Sequence, residues 1–278
     1  MTFSKNALKL TGGLLGVTAV VAGAVVFAAA PGKSGAGQKG PFYGRYFAHR
    51  GLHTADGTAP ENSLTAFRMA ANVGYGVELD VHLTRDGKVA VFHDHDLERM
   101  TGAQGKIEDW AYEDLAQLRL AGSGEKIPLL SEVLEAIGGV GPIILEIKPG
   151  PRWKELCAEV VEQLSDYPGD VCVECFDPRI LRWFKKNAPG YLRGQLAMPM
   201  GHYERDIPRP VAFLASRGLL NFLGRPQFIA YELGPKPLTI RLAEKLGAMR
   251  VCWTSRSLHD KKDNEAVIFE HYRPELYL

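Results

Sequence analysis

The sequence predicts a TIM-type (β/α)8 barrel preceded by one N-terminal transmembrane helix. Three observations carry that reading. Beyond Tyr43, short apolar runs alternate with longer stretches of helical periodicity, as in a parallel sheet covered by helices. Residues 43–278 are enough chain for a barrel, which takes roughly 250 residues. Before them, Leu10 to Ala30 carries no charged side chain. A doubly wound open sheet is the competing architecture, but no glycine-rich nucleotide fingerprint follows the first strand.

Taken in order, the elements begin with the apolar run. At about 1.5 Å per residue, Leu10–Ala30 can cross a hydrocarbon core of roughly 30 Å. Residues 1–30 are therefore read as a signal anchor. It exceeds the usual apolar core of a cleaved signal, roughly 7–15 residues, although Ala28-Ala29-Ala30 offers a cleavage site that would make the protein secreted. Lys5 and Lys9 favour an inside N-terminus, with the folded domain outside the cytoplasm, while Lys33, Lys39 and Arg45 oppose that orientation. Residues 31–42 are glycine-, proline- and lysine-containing and read as a flexible linker. Residues 43–278 form the folded domain.

Strands are expected at Tyr46–His49, Val77–Thr84, Lys88–His93, Ile143–Lys148, Val171–Phe176, Leu192–Ala197, Gln227–Tyr231, Arg250–Thr254 and Ala266–Phe269. Helices are expected at Ser63–Val73, Tyr112–Leu118, Ser131–Ile137, Trp153–Leu164, Pro178–Asn187, Pro210–Leu223 and Leu238–Leu246. That is one strand more than a barrel needs. Asp86-Gly87 resolves part of the surplus, because it signals a tight hairpin that sets Lys88–His93 antiparallel to Val77–Thr84. With a two-residue turn, Asp80 lies opposite His93 and Glu78 opposite His95. Which run closes the barrel stays open.

Composition limits function. The 33 basic and 32 acidic side chains nearly cancel, which gives no footprint for nucleic acid. Four cysteines in 278 residues are no disulfide framework. Chemistry concentrates at strand ends instead. Glu78 and Asp80 alternate with Val77, Leu79, Val81 and Leu83, so they share the face opposite that apolar set. Glu146 sits in another apolar strand that runs into Lys148. His49 and Arg50 end the first strand. Carboxylates enclosed by a sheet need partners, and a hard divalent cation is one. Imidazoles suit acid and base roles near neutral pH, and arginine and lysine suit an anionic substrate.

At these residues the chain resembles the glycerophosphodiester phosphodiesterase family. The matching motifs are His49-Arg50-Gly51, Pro60-Glu61-Asn62-Ser63, Glu78-Leu79-Asp80-Val81, Val91-Phe92-His93-Asp94, Ile127 to Leu134, Leu145-Glu146-Ile147-Lys148 and Cys252-Trp253-Thr254. The resemblance implies a barrel that hydrolyses glycerophosphodiesters to sn-glycerol 3-phosphate and an alcohol with a divalent metal, Mg²⁺ or Ca²⁺. It implies Glu78, Asp80 and Glu146 as metal ligands and His49 and His93 as the acid/base pair. Arg50, Glu61, Lys148 and Trp253 would bind or position substrate. A small insertion would occupy residues 94–126. Attack by the substrate's own glycerol hydroxyl, through a cyclic phosphate, and direct attack by water both fit.

Two departures stand out: Glu174-Cys175-Phe176 in the fifth strand, and Phe269-Glu270-His271-Tyr272-Arg273-Pro274 near the end. They bear on substrate choice, where a lysophospholipase D-type lipid diesterase is the alternative. A membrane-anchored binding protein on a decayed barrel would have lost part of the charged set, and all of it is present. The apolar Pro210–Leu223 helix would pack on the barrel or touch lipid.

Overall fold

The computed structural model describes residues 18–35, 37–205 and 207–276. Eight parallel strands close a ring: β1 (Tyr46–Ala48), β2 (Gly76–Leu83), β4 (Ile143–Ile147), β5 (Val171–Cys175), β6 (Arg193–Ala197), β7 (Phe228–Glu232), β8 (Met249–Ser255) and β9 (Ala266–Phe269). The ring closes because β1 pairs with both β9 and β2. Ala266–Phe269 is thus the closing strand that the sequence left undecided. The ninth strand, β3 (Val89–Val91), lies outside the ring, antiparallel to β2.

Helices cover the ring. They include α1 (Leu64–Val73), α2 (Leu130–Ile137), α3 (Trp153–Leu164), α4 (Pro178–Asn187), α5 (Arg209–Ser216) and α6 (Leu238–Lys245). The Ser63 hydroxyl caps α1 by accepting from the Ala66 amide, and Gly74 ends it in the left-handed region at φ 89°. Phe67 and Ala70 of α1 pack with Val77, Leu79 and Val81 of β2 and with Leu156 and Val160 of α3. These odd-numbered β2 positions face the helices. Glu78, Asp80 and His82 therefore point the other way, because side chains alternate along a strand.

The hairpin register differs from the sequence expectation by one residue. Val81 pairs with Val91, His82 with Ala90 and Leu83 with Val89. The Thr84 amide donates to the Lys88 carbonyl at 2.9 Å, so Arg85-Asp86-Gly87 forms a three-residue turn. Gly87 supplies the left-handed residue at φ 79°. The Thr84 hydroxyl accepts from the Lys88 amide and donates to Asp86, which fixes this turn over the shorter one. Asp80 consequently faces Phe92, whose amide donates to the Asp80 carbonyl at 3.0 Å. The chain leaves the pairing after Phe92, and His93 lies near enough to Asp80 to help hold that carboxylate charged.

The residues that follow build a small core of their own. Phe92, Leu97, Ile107, Leu115, Leu120 and Ile127 are buried together around short helical turns. The single helix expected over Pro210–Leu223 is broken. It stops at Ser216, Gly218 turns left-handed at φ 62°, and a short helix, Asn221–Gly224, follows.

The N-terminal segment differs from a free tether. Residues 18–29 are helical, and the strand of chain after them is seated on the N-terminal ends of the barrel strands. Asn221 donates to the Ala29 carbonyl, Arg225 to the carbonyls of Phe27 and Ala30, and the Gly32 amide to Pro226. Lys39 reaches the Gly247 carbonyl, and Phe42 is buried against Phe47. Backbone groups that a flexible chain would leave to water find protein partners here. No helix among the described residues is long and apolar enough to cross a membrane. Leu10–Val17, the first part of the expected span, lies outside the described residues.

Candidate active site

Register brings four carboxylates together at the C-terminal half of the barrel. Asp80 pairs with Glu146, and Glu146 with Glu174, while Glu78 lies two residues below Asp80 on the same face. All four are buried. One oxygen each from Glu78, Asp80 and Glu146 lies within 4.8 Å of the others, a grouping that can hold a metal ion. The Lys148 ammonium bridges Asp80 at 2.8 Å and Glu146 at 2.9 Å.

The cluster carries more negative charge than its own cations balance. Burial, then repulsion from Asp80, Glu174 and Glu146, pushes the Glu78 carboxyl well above its ordinary range. Burial also raises Glu146, although Lys148 opposes the shift. Burial works against the Asp80 charge too, yet Lys148, His93 and Arg50 together hold that carboxyl well below the usual range. Glu174 is raised by burial and by its neighbours Glu146 and Asp80, and its Oε2 has no hydrogen-bond partner. Buried oxygen donors with surplus negative charge fit a hard divalent cation.

Arg50 enters from the end of β1 in a left-handed conformation, φ 54°. Its amide donates to Glu78 at 2.9 Å and its Nη1 to Glu61 at 2.8 Å. Its Nε is buried without a hydrogen-bond partner, 3.8 Å from Asp80. Glu61 also accepts from Arg99, so it ties two guanidinium groups together. Asn62, left-handed at φ 56°, donates to Asp80 at 2.9 Å. Asparagine tolerates that conformation better than most residues.

Each histidine is backed by a carboxylate. His49 Nδ1 lies 2.7 Å from Glu270 of the segment after β9, and its Nε2 lies 4.0 Å from Glu78. His93 Nδ1 lies 2.6 Å from Asp94, which Arg99 holds in turn. Burial lowers the His49 pKa despite the Glu270 hydrogen bond, favouring neutral imidazole. Donation of a hydrogen bond from His49 holds Glu270 far below its usual range.

Trp253 stands apart from this contact network. Its indole donates to the Ala230 carbonyl and its ring meets Phe176 edge to face at 5.7 Å. It lines a cavity of about 410 Å³ with Arg256, whose guanidinium holds Glu270. Asp94, Asn62, Arg99, Glu174 and Glu270 were assigned no site role in the sequence reading. Glu174 had a signal, since it is a charged residue inside an apolar strand. Glu270 had none locally, because its partner lies 221 residues away.

Comparison with known proteins agrees with this geometry. A family model described as the glycerophosphoryl diester phosphodiesterase family matches residues 49–268. A glycerophosphodiester phosphodiesterase of Caldanaerobacter subterraneus subsp. tengcongensis is 36% identical over 155 residues, covering 51% of this chain and 62% of that protein. One from Bacillus altitudinis is 34% identical over 180 residues, covering 59% of this chain and 72% of that protein. An Oleispira antarctica phosphodiesterase, solved with the product sn-glycerol-3-phosphate, superposes with a TM-score of 0.68 at 25% identity, covering 82% of this chain and 93% of that one. This chain belongs to the glycerophosphoryl diester phosphodiesterase family.

Proposed function

We propose that this protein hydrolyses glycerophosphodiesters to sn-glycerol 3-phosphate and an alcohol. The observation that carries the reading is the meeting of two carboxylate-backed histidines with the buried Glu78, Asp80 and Glu146 set. Those three carboxylates would hold a divalent cation, which supplies positive charge to phosphoryl oxygens when bound. The oxygen-only donor set favours Mg²⁺ or Ca²⁺.

The chain's own residues then divide the work. Glu270 accepts a hydrogen bond from His49 Nδ1–H, so Nε2 carries the lone pair and takes a proton from the attacking hydroxyl, that of water or of the substrate's glycerol. His93, oriented by Asp94, gives a proton to the departing alkoxide; where the attacking hydroxyl is the substrate's own, water then opens the cyclic phosphate with the two histidines exchanging roles. Arg50, with an uncommitted buried Nε–H, holds a phosphoryl oxygen and offsets charge as it builds there. Glu61 and Asn62 position Arg50 and Asp80. Lys148 adds fixed positive charge beside both carboxylates. Trp253, on the wall of the cavity it shares with Arg256, would position substrate.

The same reading keeps the N-terminal apolar run as a membrane tether, with the barrel domain outside the cytoplasm. Its support is the uncharged Leu10–Ala30 stretch and the exposure of Val20, Val21 and Phe27 on the described helix. The chain joins the barrel at the end opposite the catalytic cluster, so such a tether leaves the site facing away from the bilayer.

The test is phosphorus NMR of glycerophosphocholine, glycerophosphoethanolamine and lysophosphatidylcholine incubated with the full chain. Metal-dependent appearance of glycerol 3-phosphate, abolished by EDTA and restored by Mg²⁺ or Ca²⁺, is the expected result. Turnover of the lysolipid alone would replace the substrate with a lipid diester. Absence of turnover on all three would reject the proposal.

A further inference from the structure

We propose that His82, His95 and Glu108 form a second metal site, for Zn²⁺ or a similar borderline ion, that fastens the insertion to the barrel beside the active site. The inference is independent of the hydrolysis reading, because none of the three residues belongs to the catalytic set.

The three come from separate elements. His82 lies on β2, on the same strand face as Asp80. His95 lies beyond β3, and Glu108 lies on the helical turn Ile107–Asp109. One donor atom from each lies within 4.8 Å of the other two. The imidazoles of His82 and His95 meet edge to face with centroids 4.9 Å apart, and His95 Nδ1 is 3.8 Å from Glu108 Oε2. Two backbone links hold the outer pair in place. Asp96 bridges to Lys106, and the Ile107 amide donates to the His95 carbonyl at 2.9 Å. His95 and the helical turn that carries Glu108 thus flank a single antiparallel bridge.

The buried member is prepared for a ligand role. His82 is 2% exposed, and its Nε2–H donates to the His93 carbonyl at 3.2 Å. That bond leaves Nδ1 as the unprotonated nitrogen. A ligating imidazole ordinarily donates its other N–H to a carbonyl or carboxylate, which fixes the ring and raises its basicity. The His95 and Glu108 side chains are 43% and 20% exposed, so an ion has an entry path and room to keep water. A tetrahedral ion with donors at about 2.0–2.1 Å holds them roughly 3.4 Å apart. Rotation of the half-buried His95 and Glu108 side chains would close the remaining gap.

Donor chemistry separates the two sites. Two imidazoles and one carboxylate suit Zn²⁺, Co²⁺ or Ni²⁺, whereas the all-oxygen cluster suits Mg²⁺ or Ca²⁺. The four cysteines are all buried and offer no competing thiolate at the surface. A bound ion would tie β2 to residues 95–108 and steady the backbone that carries His93.

The experiment is a competition titration of the full chain against a chromophoric Zn²⁺ chelator, in excess Mg²⁺. The expected result is one tightly bound Zn²⁺ per chain. His95→Ala and Glu108→Ala should each weaken it by about tenfold or more, while Glu78→Gln leaves it intact. Hydrogen exchange over residues 94–108 should slow with Zn²⁺ in the unaltered protein and not in either variant. Melting curves in EDTA confirm that the variants are folded. Failure to compete with the chelator would overturn the proposal. So would Zn²⁺ binding that both variants retain, or binding that Glu78→Gln abolishes, which would move the ion to the carboxylate cluster.

Discussion

His49 depends on a neighbour that no local pattern could supply. Its position after β1 and its residue type were legible, as were Glu78, Asp80 and Glu146, because charged residues at period two in apolar strands stand out. Glu270 was not legible, since barrel closure alone brings the end of β9 beside β1. The pair has a measurable consequence. Glu270→Ala removes the acceptor that fixes the His49 tautomer, and should lower kcat on the order of 10²-fold with KM little changed. Glu270→Asp should recover part of the loss. Equal loss in KM, or no recovery, would make Glu270 a structural residue only. Glu174 stands differently. Its strand register was readable, but not that its unpaired oxygen would face the same cluster.

Local chemistry explains where element boundaries held and where they slipped. Helix α1 was readable from the Ser63 cap and its apolar spacing. The hairpin was read correctly as a hairpin and wrongly by one register position. Asp-Gly allows both two- and three-residue turns, and the Thr84 hydroxyl selects the longer. Gly218 ended a helix that apolar periodicity alone continued, because its left-handed φ of 62° takes the chain off the helical path. Sheet packing gives a test at this scale. Gly194 pairs with Phe228, and a Cβ built on Gly194 runs into the Phe228 ring. Gly194→Ala should therefore destabilise the barrel by about 1–3 kcal/mol, read as a lower denaturant midpoint. An unchanged midpoint would show that the ring turns aside without cost.

At the scale of the whole molecule, strand and helix alternation revealed the barrel, but not its closure. The surplus strand was traceable to the hairpin, while the role of Ala266–Phe269 required knowing that it lies between β8 and β1. The linker was misjudged for a related reason. Its composition signals freedom, yet Gly32 and Lys39 bond to the carbonyls of Pro226 and Gly247, just before β7 and β8, and Phe42 packs on Phe47 of β1. Closure is what turns separate strand ends into one site, with His49 and His93 both arriving along the edge of β2 that lies away from β4. The most direct measurement of that claim is single-turnover hydrolysis of glycerophosphocholine by the unaltered protein, His49→Ala and His93→Ala, each saturated with the same divalent metal. Each variant should bind the metal normally and lose about 10²–10⁴-fold in rate. Near-full rate in either variant, or a loss that tracks weakened metal binding, would contradict the claim.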